Sequence, residues 1–390
     1  MTTALVPRHR GLSLQRKGIV VQVLGPLASE LAEPVNLAHV ARLTDDTAIF
    51  EHAEFATARR EHGYCTDDVS RALLVAAVRG SDPLSAAIAE RSLAFVRDAA
   101  LPVDRFRSRM NYQRRWMDEG DSDDASGRAL WGLGVAAATA PWPHVRLGSR
   151  AVFEKMSGFR SVHWHATAFA ALGAAAIRDA DLDAQGSAAP ALLAAATLRL
   201  PRPSEKGDWR WPERRVSYAA ALLPDALLAT GAVDEGLALL SWLTDQTTLG
   251  GHFSPVPVDG LGAGDERPGF DQQPIEAQAA ACAAWRAWTL TGDMQWLELL
   301  VRTAAWFFGA NDAELTMIDR STQGGCDGLH ADGRNENQGA ESTLAFLHTM
   351  AVLSEAVECG AVELHSPALS CDSGTRNEHG ATPMSTGRPL

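Results

Sequence analysis

Cysteine is scarce and unpatterned in this chain. Five residues in 390, Cys65, Cys282, Cys326, Cys359 and Cys371, form no CxxC pair and no even framework. This argues against a disulfide scaffold and the common zinc spacings, and it suggests a reducing compartment. Positive charge is also in deficit, with 35 Lys and Arg against 48 Asp and Glu and a net charge of -13. A nucleic-acid footprint is therefore not expected. The basic clusters at Arg8 and Arg10, Arg114-Arg115 and Arg214-Arg215 are short and read as solvated faces. No apolar run reaches the roughly 18 residues of a membrane span. The first eighteen residues lack the apolar stretch of a signal peptide. The expectation is a soluble cytoplasmic protein with no membrane partner. Alternation of apolar and polar residues, the mark of half-buried strands, is nearly missing as well.

What remains is helical. The composition is 46% hydrophobic, ample for a sizeable core. Alanine and leucine recur at spacings of three and four in roughly twelve runs. These begin near Asn36, Asp67, Pro83, Asp123, Val145, Val162, Leu182, Ser217, Val233, Gln272, Asp293 and Gln338. Twelve helices alternating outward and inward make six hairpins, so the predicted fold is all-α, an (α/α)6 toroid over residues 35–360. Residues 1–34, punctuated by Pro26 and Pro34, read as an arm. Residues 361–390, rich in Ser, Gly, Pro and Thr, read as a disordered tail. Connections after the even-numbered helices are short, as at Gly80 to Asp82 or Thr291-Gly292. Those before them are mostly long, as at Leu101 to Ser122, Arg199 to Val216, Gly250 to Asp271 and Asn311 to Asn337. Alternating direction gathers the long loops on one face, where the inner helices start. Loops of such length in a compact domain are usually functional.

Two stretches repeat a pattern at that face: Gly63-Tyr-Cys-Thr-Asp-Asp-Val-Ser-Arg-Ala-Leu73 and Ser122-Asp-Asp-Ala-Ser-Gly-Arg-Ala-Leu130. Each sets a hydroxyl and two carboxylates at a helix start, followed by an Arg. Capping or an i,i+4 ion pair explains one carboxylate of each doublet and leaves the other over. Aligned from the hydroxyl, Asp68 matches Asp124; aligned from the Arg, Asp67 does. Asp67, Asp68, Asp123 and Asp124 are therefore all candidate catalytic groups, with Tyr64, Arg71 and Arg128 beside them. The third inner start carries His163 and His165, whose spacing suits sugar contact or capping better than metal. The fourth carries Trp209, Trp211 and Glu213 ahead of Tyr218. Indole faces are suited to stacking on sugar rings, and Glu213 is that loop's candidate acid. The fifth carries Gln272, Gln273 and Glu276, and the sixth carries Asn335, Asn337, Gln338 and Glu341. Such groups orient hydroxyls through paired hydrogen bonds. Asp121-Ser-Asp123 has the form of a metal-binding DxD, but no βαβ pattern or phosphate loop accompanies it. Thr44-Asp-Asp-Thr47 sits on an outer run and reads as a kink or cap.

Leu43 to Thr47, His62 to Asp68, Gly127 to Gly134, Trp211 to Glu213, Asp271 to Glu276 and Asn337 to Thr343 resemble motifs of a bacterial family of six-hairpin, glycosidase-like proteins. Members are often labelled glycosyltransferases or glycosidases, and some look fused or linked to glycosyltransferase domains. The resemblance runs from about Pro34 to Glu358. It departs at Ala125-Ser126, where bulkier residues are expected, and at Ala219, where an Asn usually follows the Tyr. It implies a carbohydrate-active toroid, with a glycan substrate and a possible glycosyltransferase partner.

The leading expectation is an inverting glycoside hydrolase that needs no metal or cofactor. One carboxylate from Asp67/Asp68 or Asp123/Asp124 would oppose Glu213 or Glu341 at the separation of about 6.5–9.5 Å that inversion requires. The alternatives are a glycosyltransferase or its accessory protein, and a non-catalytic glycan-binding protein. The fold also allows a sugar epimerase, for which no well-placed histidines stand out in the sequence.

Overall fold

The computed structural model describes residues 20–80, 82–117, 122–180, 187–205, 207–266 and 269–365. Thirteen α-helices lie among them: α1 Pro26–Ala32, α2 Ala38–Arg42, α3 Thr66–Arg79, α4 Pro83–Ala99, α5 Asp123–Thr139, α6 Pro143–Lys155, α7 Trp164–Asp179, α8 Ala189–Thr197, α9 Leu222–Ala229, α10 Val233–Gln246, α11 Pro274–Thr291, α12 Met294–Trp306 and α13 Ala340–Glu358. The inner helices pack in the cyclic order α3, α5, α7, α9, α11, α13 and back to α3. Helices α4, α6, α8, α10 and α12 each pack outside the inner helix that precedes them, and α2 lies against α13. This is the (α/α)6 toroid that the helical spacing predicts.

Residue size sorts the two layers. Helix α5 is buried on nearly every side, as a helix enclosed by neighbours has to be. Small residues let it approach α7 until backbones touch: a Cβ added at Gly134 would lie 2.2 Å from the Gly173 carbonyl oxygen, and one at Gly173 would lie 2.2 Å from that of Leu130. The outer helices show local start signals instead. Asp82 accepts from the Leu84 and Ser85 amides at the start of α4, Asp293 accepts from Gln295 at the start of α12, and proline opens α4 and α6. These groups satisfy or remove orphan donors. Gly292 ends α11 in the left-handed conformation at φ 70°, which glycine adopts without a steric penalty.

The expected boundaries need correction at both ends. Within residues 1–34, Val21–Leu24 is a strand and α1 is a helix with Ala28 and Leu31 buried. Within residues 361–390, Val362–His365 is a strand paired in parallel with Val21–Leu24. The first and last strands of the described residues thus pair beside α12 and α13. Residues 1–19 and 366–390, the rest of the expected arm and tail, lie outside the described residues. So do Asp121 of the DxD string and the predicted helix start at Leu182. The first outer run is short, since Asp45 Oδ1 accepts from the Thr47 and Ala48 amides and turns the chain after α2. That is the kink read at Thr44 to Thr47.

Gly134→Ala is predicted to destabilise the fold by about 1–3 kcal/mol through overpacking, despite alanine's better helix propensity. Gly148→Ala on α6, which meets only the flexible Leu93 side chain, should cost less. Urea unfolding of both variants checks this; equal stabilities would contradict the close approach of α5 and α7.

Candidate active site

Neither acidic doublet caps its helix. Cys65 stands at the N-cap of α3 with no side-chain cap bond, and at α5 the Ser122 hydroxyl accepts from Ala125. The carboxylates sit in the first turns, where the helix dipole favours negative charge. Helix position also resolves the register between the repeats. Asp67 and Asp124 are both second residues of their helices, and Arg71 and Arg128 both follow four residues later. Asp67 therefore corresponds to Asp124, and Asp68 has no counterpart.

Arg71 ties the first inner helix to the last. Its Nη1 donates to Asp68 Oδ1 at 2.5 Å and its Nη2 to Glu341 Oε2 of α13 at 2.5 Å. The Tyr218 hydroxyl accepts from Arg71 Nη2 at 3.4 Å and from Arg128 Nη2. Arg128 is fully buried with its guanidinium 3.9 Å from the Phe169 ring centroid, and its Nε lies 3.6 Å from Asp124 Oδ2. Among the described residues, Asp67 Oδ1, Arg71 Nε, Arg128 Nε and Arg128 Nη1 are buried without a hydrogen-bond partner. An unpaired acceptor and unpaired donors are thus left over on the adjacent helices α3 and α5, a pattern that a hydroxyl, being both donor and acceptor, can complete. Asp124 and Glu341 have side chains 35% and 36% exposed, open to solvent at the mouth.

The loop before α9 brings Tyr218 to this cluster by a strained path. Tyr218 and Ala219 have φ of 20° and 50°, which delays the helix from the expected Ser217 to Leu222. The buried Glu276 carboxylate of α11 holds the turn by accepting from the Ala219 and Ala220 amides, the latter at 2.9 Å. Holding strained backbone in this way is common at functional sites. His165 lies on Trp164 with ring centroids 3.5 Å apart, and its Nε2–H donates to the Tyr218 carbonyl at 2.9 Å. This places the lone pair of the neutral ring on Nδ1.

Burial raises Asp67 and Asp68. Asp67 is raised by desolvation, opposed by Arg128 and then Arg71, with Asp124 and Glu341 adding to the rise. Asp68 is pushed up to about 7 by desolvation, which outweighs Arg71 and is reinforced by Glu341 and Glu51. Desolvation likewise takes Glu276 to about 7 against its two amide donors and Tyr218 to about 12. It lowers His165 and so keeps that ring neutral. Groups pushed apart in this way are what proton-transfer chemistry uses.

Several predicted residues stand elsewhere. Asp123 turns to Arg105 Nε at 3.1 Å and to the Ser161 hydroxyl, so it braces the loop before α7. Tyr64 is fully buried against Phe50 and donates to Asp45. Trp211 is buried edge-on to Trp164, and Trp209 packs on Trp242, so neither indole offers a stacking face over the carboxylates. Gln272 is buried and bonded to Trp306 and Asp312, and Gln338 to Thr322 and Asp319. Asn337 holds the Phe55 amide and Asn335 the Asn337 amide. Gln273 is the half-buried N-cap of α11, and His163 is the exposed N-cap of α7. Glu213 stays at the rim, accepting from Trp164 Nε1 at 3.1 Å.

Two participants carry no motif in the sequence. Glu51 is buried in a bidentate pair with Arg109 and adds to the rise of Asp68. Phe55, 62% exposed with φ 51°, is laced by its amide to Asn337 and by its carbonyl to Gln338, just ahead of Glu341. Glu51, Cys65 and Asp68 bring three ligand atoms within 4.8 Å of one another. Arg109 and Arg71 already engage both carboxylates, and burial drives the Cys65 thiol well up, away from the thiolate that a metal takes.

No protein-family model matches the chain, and no curated protein does. Solved structures do. Cellobiose 2-epimerase from Bacillus thermoamylovorans superposes with a TM-score of 0.62 at 12% identity, over 84% of this chain and 98% of that one. A D-mannose isomerase gives 0.57 at 12%, over 85% and 95%. A GH76 alpha-mannanase from Bacteroides thetaiotaomicron gives 0.56 at 9%, over 85% and 95%. At these identities the likeness establishes the six-hairpin toroid fold. The neighbours themselves are carbohydrate-active enzymes of more than one reaction class.

The Asp68 shift has a signed consequence. Its ordinary value is 3.8 and its folded value about 7, so between those limits the native state keeps a proton that the unfolded chain releases. Stability from this group is present below about pH 4 and lost as pH rises towards 7. Urea unfolding across that range should show a smaller loss in Asp68→Asn than in the parent; identical slopes would contradict the burial assigned to Asp68.

Proposed function

We propose that the chain is a carbohydrate-active enzyme working at this mouth, most simply an inverting glycoside hydrolase whose acid and base are both carboxylates. The carrying observation is the convergence of Asp67 and Asp68 from α3, Asp124 from α5 and Glu341 from α13 around Arg71, Arg128 and Tyr218. Inversion needs one carboxyl that keeps its proton for the leaving oxygen and one carboxylate that water can reach. Asp67, raised by burial and with one oxygen unpartnered, suits the acid. Asp124 and Glu341, each about a third exposed, suit the base. Asp68, held by Arg71, positions that guanidinium. The substrate under this reading is an oligosaccharide or glycan.

His165 supports a second reading. A neutral ring with its lone pair on Nδ1, beside the acids, could take a proton next to a sugar carbonyl, and cellobiose 2-epimerase and mannose isomerase share the fold. None of the neighbours named above is a transferase, so the transferase reading and its partner rest on the sequence resemblance alone. Among the described residues no helix is long and apolar enough to cross a membrane. The four described cysteines are free, which supports a cytoplasmic setting.

Oligosaccharides and aryl glycosides, screened with and without phosphate and with the product anomer read by NMR, test the hydrolase. Asp67→Asn, Asp124→Asn and Glu341→Gln should each lower turnover by about 10²–10⁴ while glycan binding is kept. Solvent deuterium appearing at C2 of a free reducing sugar, lost in His165→Gln, would favour the epimerase. Unchanged turnover in all three carboxylate variants would overturn the hydrolase reading.

A further inference from the structure

The ring has a second polar chamber, nearer the other ends of its helices. A cavity of about 50 Å³ is lined by Trp131, Asp179, Asp225, Trp285, Arg286 and His348, among others. Asp179 is the last residue of α7, and Trp285 and Arg286 lie in the second half of α11. A cleft of about 140 Å³ between the far ends of α7, α9 and α11 shares Asp179 and Arg286 with the chamber, so these two side chains stand between the interior and the outside. Beside Phe169, Ala219 and Gln278 lies a void of about 10 Å³, about enough for one water, which shares Trp131, Asp225 and Cys282 with the chamber.

The walls are polar at some expense to stability. A buried ion pair is rarely stabilising relative to apolar packing, yet Arg286 Nε donates to the buried Asp225 Oδ1 at 2.5 Å. Arg178 Nε donates to Asp179 Oδ1 at 2.7 Å. Both charges are therefore already compensated. What is left is uncommitted hydrogen-bonding capacity. Trp285, 5% exposed, has a buried Nε1–H with no partner. Among the described hydrogen bonds, the Arg286 Nη groups and the Oδ2 atoms of Asp225 and Asp179 take none. The buried His348 packs on the Trp131 ring at 5.7 Å between centroids and has the Cys282 sulfur as its polar contact, at 3.7 Å, and its burial keeps it neutral.

We propose that this chamber and its outer cleft form a second ligand site that takes a small uncharged polyhydroxyl molecule, between glycerol and a single sugar in size. Donors and acceptors are left over together, which is what a hydroxyl satisfies at both ends. Compensated charge gives an ion no advantage, and indole walls suit the C–H faces of a polyol. The site does not depend on the chemistry read at the mouth.

The test is NMR of the full chain labelled with 15N-tryptophan, the Trp285 indole signal being assigned by its loss in Trp285→Phe. Titration with glycerol, erythritol, glucose and mannose should move that signal saturably for at least one of them. The shift should persist in Glu341→Gln, and calorimetry should give an affinity weaker by roughly tenfold in Arg286→Lys, which keeps the charge but loses the fork. A signal unmoved by every polyol would mean that water alone fills the chamber. A response to inorganic phosphate only, or one abolished by Glu341→Gln, would equally overturn the proposal.

Discussion

The Arg71 guanidinium is the contact on which the rest of the mouth depends. It lies where the first inner helix meets the last, and it joins Asp68 of α3 to Glu341 of α13 while reaching the Tyr218 hydroxyl. One cation thus closes the ring, gathers carboxylates from helices far apart in sequence and limits their mutual repulsion. Arg128 repeats the arrangement one hairpin on, with Asp124 as its acid and the same Tyr218 hydroxyl as its acceptor. Without these cations, burial would push the acids further towards their protonated forms.

The toroid was legible because its causes are local. Helical spacing, alternating loop length and small residues on the inner helices are all written into short windows of sequence. The convergence of Asp67, Asp68, Arg71, Asp124, Arg128, Tyr218 and Glu341 was also legible, since each stands within the first two turns of an inner helix or just before it. The direction of individual side chains was not. Asp123 and Asp124 are adjacent, yet one braces a loop through Arg105 while the other faces the mouth. Trp211 lies in a polar loop but is buried by Trp164, which only the folded path of residues 198–221 decides. Glu51 and Phe55 arrive through a loop fastened to the start of α13 by hydrogen bonds to residues more than 280 positions away, and no periodicity reports such a contact. The strand pairing of Val21–Leu24 with Val362–His365 is hidden for the same reason.

The two ends of the ring differ physically. At the mouth the excess charge is negative, partly exposed and spread over three helices, with unpaired donors and an unpaired acceptor left over on α3 and α5. Lower down, charges pair one to one, and indoles enclose what remains. The first arrangement suits proton transfer and the second suits holding a neutral molecule, so one scaffold can serve both.

The most direct measurement of the central claim is a crystal structure of Glu341→Gln with a bound oligosaccharide. The account predicts a sugar ring between α3 and α5, its glycosidic oxygen within hydrogen-bond reach of Asp67 and a hydroxyl among the unpaired nitrogens of Arg71 and Arg128. A glycan ordered only on the outer surface, with those nitrogens still bare, would contradict it.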